Sequence, residues 1–87
     1  TDIGDWMLDF CRIQIGKQPR SKAPNPEKDW GLNYPRDYIL RAWSDHFKSG
    51  RYPNGLGFDD QPQDLIDDFD VLDREHAYRM RQIEEEK

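Results

Sequence analysis

Leu65, Phe69, Leu72, His76, Met80 and Ile83 recur every three or four residues and line one narrow stripe. No other stretch is so regular, and it commits residues 60–84 to a single amphipathic helix. At ~1.5 Å per residue such a helix spans roughly 36 Å, which is long for a chain of 87 residues. Asp60 is the candidate cap, and Gln63 stands three residues on, the spacing of a capping box. Pro62 is tolerable in a first turn, where a missing N–H does no harm. The stripe needs apolar cover, and two shorter segments are available to give it.

Residues 2–15 read as the first of these. Ile3, Trp6, Met7, Phe10 and Ile13 fall on one helical face, Thr1 or Asp2 caps the start, and Gly16 ends it. Leu8 and Ile15 lie off this stripe. Residues 35–49 read as the second: Pro35 opens it, Ile39, Leu40, Trp43 and Phe47 form its apolar face, and Gly50 stops it. Between them, residues 16–34 form a long connection, because Pro19, Pro24 and Pro26 exclude regular helix or central strand. Lys17, Arg20, Lys22 and Lys28 make it basic, and Trp30, Leu32 and Tyr34 return the chain to the core. Asn54-Gly55 marks a tight turn within residues 50–59. The expectation is one all-α domain over residues 1–87: three helices, a long Pro-containing loop and a long C-terminal amphipathic helix.

Composition sets how firmly such a domain holds together. Hydrophobic residues make up 34% and charged residues 36%, against roughly 45–50% and ~25% in ordinary globular chains. That balance approaches disorder, but three Trp, four Tyr and four Phe bury large areas each and argue for a folded, thin core. Cys11 is the only cysteine, so no internal disulfide reinforces the fold. No apolar run is long enough to span a membrane, and no signal-peptide pattern opens the sequence. These features give an expected location in a host cytoplasm or in association with a particle.

The charge is polarised. Residues 1–58 carry nine Lys/Arg and seven Asp/Glu, and residues 59–87 carry four and eleven, for net charges of +2 and −7 that make up the overall −5. Asp59, Asp60, Asp64, Asp67, Asp68, Asp70 and Asp73 follow one another with no basic residue between them. Two readings apply. The run is a solvated face that also suits the positive end of a helix dipole, or it is a docking surface for a basic partner, including mimicry of nucleic-acid phosphates. Val71 and Tyr78, two turns apart and opposite the apolar stripe, are either exposed singly or form the apolar centre of an interface with a charged rim. The partner-binding set expected from these features is Val71, Tyr78, Asp67, Asp68, Arg74 and Arg81 on the long helix, with Lys17, Arg20 and Lys22 in the basic loop.

Chemistry finds little footing. His46, His76 and Cys11 are metal-ligand types, but no pair stands at zinc spacing, and the aspartate run lacks the glycine and terminal acid of a calcium loop. There is no glycine-rich phosphate loop and no nucleophile elbow. Cys11 lies beside the apolar face of the first helix, the usual place of an inert thiol. No catalytic residue, metal, cofactor or small-molecule substrate is expected. A net acidic chain is repelled by nucleic acid, so direct nucleic-acid binding is disfavoured.

The stretch Tyr52-Pro53-Asn54-Gly55-Leu56-Gly57-Phe58-Asp59-Asp60-Gln61-Pro62, followed by Leu65-Ile66-Asp67-Asp68-Phe69, resembles a pattern in small tail-module proteins of tailed bacteriophages, including tail assembly chaperone-type products. It covers residues 52–69 only. The resemblance implies a non-enzymatic role in building a virion, through contacts with phage structural proteins or with copies of itself, and it carries over no catalytic or ligand residue. The alternative function is an acidic nucleic-acid mimic of the anti-restriction or anti-CRISPR type.

Overall fold

A computed structural model describes residues 3–19, 29–53 and 55–85. The fold is all-α: α1 (Ile3–Gln14), α2 (Arg36–Ser49), a 3-10 turn (Phe58–Asp60) and the long α3 (Gln63–Glu85), with no strand among the described residues. None of these helices is long and apolar enough to cross a membrane. The chain divides into two compact units, Thr1–Asp29 with Asp73–Lys87, and Trp30–Leu72. α3 supplies its second half to the first unit and its first half to the second. The middle of the basic connection, residues 20–28, lies outside the described residues and takes Arg20 and Lys22 with it.

In the first unit α1 buries Ile3, Gly4, Met7, Leu8 and Cys11, and α3 buries Ile83. This face is turned from the expected one by about a quarter of the helix circumference at ~100° per residue. Leu8 and Cys11 are inside, and Ile13 is 60% exposed. The small residues Gly4 and Cys11 take the buried side. The large rings of Trp6 and Phe10 sit half-buried at its flank, where they stack at 5.4 Å. Gly16 ends α1 as expected. With φ at +84° it donates to the Ile13 carbonyl at 3.0 Å while Lys17 N–H reaches Arg12 at 2.8 Å, the two bonds of a Schellman motif.

In the second unit α2 buries Ile39, Leu40, Ala42 and Trp43, and the first half of α3 buries Leu65, Asp68, Phe69 and Leu72. Phe47 is only partly covered and packs against Trp43 at 5.2 Å between ring centroids. Tyr52 stacks on Phe69 at 6.0 Å, and His46 lies within 4.4 Å of Tyr52 and 5.2 Å of Phe69. Gly50, at φ +76°, stops α2 and donates to the His46 carbonyl at 2.7 Å.

The start of α3 differs from the capping-box expectation. Asp60 belongs to the 3-10 turn, and the helix begins at Gln63. Pro62 stands just before it, and its carbonyl takes the Leu65 and Ile66 N–H groups at 3.1 and 3.3 Å. The Gln63 side chain is engaged elsewhere, donating to Asp67 Oδ1 at 2.9 Å. The fixed φ of proline and the Gln61 amide, which ties back to the carbonyls of Leu56 and Gly57 at 3.1 and 3.2 Å, shape the entry instead of an acidic cap.

Candidate interaction surface

The seven aspartates of residues 59–73 do not share one environment. Asp59, Asp60, Asp64, Asp67, Asp70 and Asp73 are exposed. Asp68 is 0% exposed, and its expected place on a docking surface is corrected here. Its carboxylate accepts the Asn33 N–H (2.8 Å to Oδ1, 3.0 Å to Oδ2), the Tyr34 N–H (2.9 Å) and the Asn33 side-chain amide (3.1 Å). A buried carboxylate needs such donors to offset its lost hydration. Asp68 therefore fixes the end of the loop to α3 and offers nothing to a partner.

Asp67, Val71, Arg74, Tyr78 and Arg81 follow one another at intervals of three and four residues along one face of α3. Val71 is half-buried. Tyr78 is half-exposed, with the Arg79 guanidinium 5.1 Å from its ring centroid and its hydroxyl accepting from Gln82 Nε2 at 3.1 Å. Arg74, Arg81 and Lys17 are exposed. Among the described residues no three His, Cys, Asp or Glu side chains gather as a metal ion requires.

A concave surface lies along α2. Tyr38, Arg41, Asp45 and Lys48 run down one side of α2 at intervals of three and four residues, and Arg51 and Tyr52 follow in the next loop. Together they line an open groove of about 480 Å³ with three cations against one carboxylate. Beside it a second hollow of about 590 Å³ is walled by Arg51, Tyr52, Leu56 and Phe58. Leu56 and Phe58 are 51% and 59% exposed on that loop. Gly55, at φ +74°, donates to the Tyr52 carbonyl at 3.1 Å and sets the turn that carries them. The sequence signal was present, as polar and aromatic residues at helical spacing on α2. A polar helix face ordinarily reads as solvated, and spacing alone does not show that it is concave.

No protein-family model, curated protein or solved structure matches this chain. The surface is therefore judged on its own chemistry. It is open and rimmed with mixed charge, and the large apolar side chains of Leu56 and Phe58 stand exposed beside it.

Among the described residues, two groups of the first unit have displaced pKa values. Burial pushes the Cys11 thiol up to about 11. Arg79 opposes that rise, and Glu75 adds to it. The thiol donates a weak bond to the His76 carbonyl at 3.8 Å. Burial also lowers the pKa of His76, against the opposing pull of Asp73, and its Nε2 lies 3.1 Å from Gln14 Oε1. Arg79 bonds Glu75 at 2.7 Å and Gln82 at 2.7 Å. A thiol with a pKa of about 11 in place of 9.0 holds about 100-fold less thiolate near pH 8. Alkylation of native Cys11 by iodoacetamide is expected to be at least that much slower than in urea. Equal rates in the two states would show that the thiol is neither buried nor shifted.

Proposed function

We propose that this protein is a non-enzymatic binding module that works through protein–protein contacts in building a tailed-phage particle. The observation that carries the reading is the exposure of Leu56 and Phe58 on a loop shaped by a left-handed glycine. About half of each side chain is left to cover, so a partner that buries it gains about 1–1.5 kcal/mol apiece. The same loop, residues 52–62, bears the resemblance to tail-module proteins, which supports the particle as the setting. In this reading the chain acts in the host cytoplasm or on the virion, and its partners are structural proteins of the particle.

The test is to express the tagged chain in cells producing the particle and to identify what co-purifies. Structural proteins of the particle are expected with the wild type. Leu56→Ser with Phe58→Ser is expected to reduce their recovery about 10- to 100-fold while leaving circular dichroism unchanged. Undiminished recovery with the double variant would reject this surface. Recovery of a nuclease alone, released steeply by salt and weakened by Asp64→Asn with Asp67→Asn, would transfer the role to nucleic-acid mimicry.

A further inference from the structure

We propose that the groove along α2 receives the acidic start of α3 from a second copy of this chain. The proposal rests on the protein-binding reading and names the occupant of its surface.

The groove is chemically specific. Arg41, Lys48 and Arg51 surround it with Tyr38 and Tyr52, and Asp45 is its one carboxylate. Neither Arg41 nor Arg51 makes an ion pair among the described residues. Guanidinium groups in an open groove select planar carboxylates, which they grip with two parallel hydrogen bonds. The tyrosines add flat walls that carry both apolar area and a hydroxyl. The ligand class is an acidic protein segment.

The chain carries such a segment. Residues 52–73 contain no Lys or Arg, and Asp59, Asp60, Asp64 and Asp67 stand exposed on the 3-10 turn and the opening of α3. Among the described residues none of these four aspartates pairs with a cation of its own copy. One chain thus bears two complementary surfaces that do not satisfy each other. A contact between unlike surfaces is heterologous, and it closes into a ring or extends from copy to copy. Because the contact is rich in exposed charge, salt weakens it.

The experiment exploits the two-sided geometry. In about 20 mM salt the wild-type mass measured by light scattering is expected to rise with concentration beyond a dimer, and to return to the monomer in about 500 mM salt. A groove variant, Arg41→Glu with Arg51→Glu, is expected to remain monomeric. So is an acidic-face variant, Asp60→Asn, Asp64→Asn and Asp67→Asn together. Each keeps one good surface, so an equimolar mixture is expected to form a twofold heavier complex and nothing larger. Circular dichroism of each variant secures that it is folded. A wild type that stays monomeric at about 1 mM in low salt overturns the proposal, as does a mixture that stays monomeric. If self-association fails while the Leu56/Phe58-dependent recovery of particle proteins persists, this inference falls and the protein-binding reading stands.

Discussion

Asp68→Ala is expected to destabilise the protein by about 3–5 kcal/mol, although aspartate is ordinarily a surface residue. The substitution removes the shared acceptor of the Asn33 and Tyr34 N–H groups and of the Asn33 amide. A buried donor left without a partner costs about 1–3 kcal/mol, and here two part-buried backbone donors lose theirs together as a cavity opens at a fully buried position. A domain of this size has about 4–13 kcal/mol to lose, so a large share of molecules should unfold. Asp68→Asn keeps one acceptor oxygen but sets an amide N–H₂ against a backbone donor, and about half the loss is expected. The neighbouring Asp67→Ala, on an exposed side chain, should stay within about 0.5 kcal/mol of the wild type. Urea unfolding followed by tryptophan fluorescence measures all three. An Asp68→Ala protein as stable as Asp67→Ala would remove the anchor role. The contrast also governs how charge variants are interpreted: only the exposed aspartates report on a partner, because neutralising Asp68 perturbs the fold itself.

How far the sequence reveals this molecule depends on the range of the interaction involved. The three helices follow from local rules. Apolar spacing marks the stripe of α3, and Gly16 and Gly50 end α1 and α2 through their left-handed backbone. The orientation of α1 is not local. Trp6 and Phe10 are more hydrophobic than Gly4 and Cys11, yet the small residues face inward while the rings stack on each other at the flank. Which of seven aspartates turns inward is settled by Asn33 and Tyr34, some 35 residues distant. No spacing within the run distinguishes Asp68 from Asp67. The groove was hidden for another reason. Tyr38, Arg41, Asp45 and Lys48 lie at helical intervals on α2, but a concave surface arises only once the loop with Arg51 and Tyr52 folds beside them. Local chemistry therefore discloses the elements, and the candidate site depends on contacts between them.

Trp43→Ala tests whether that site depends on a single buried ring. Trp43 is the largest fully buried side chain and is 0% exposed, with Phe47 packed on it at 5.2 Å. Truncating a buried tryptophan costs about 3–5 kcal/mol, because the lost transfer energy adds to that of an unfilled cavity. Trp6 is half-buried and stacks on Phe10, so Trp6→Ala is expected to cost about 1–2 kcal/mol. The two variants also differ in place. Trp43 lies on the same helix as Tyr38, Arg41 and Lys48, with its ring on the buried side. Its loss should therefore raise amide exchange along Arg36–Ser49 and weaken any partner that uses the groove, with no groove residue altered. Trp6→Ala should leave both unchanged. Hydrogen exchange with mass spectrometry separates the outcomes. If α2 keeps its protection in Trp43→Ala, the groove is held by its own loop contacts and not by the core beneath it.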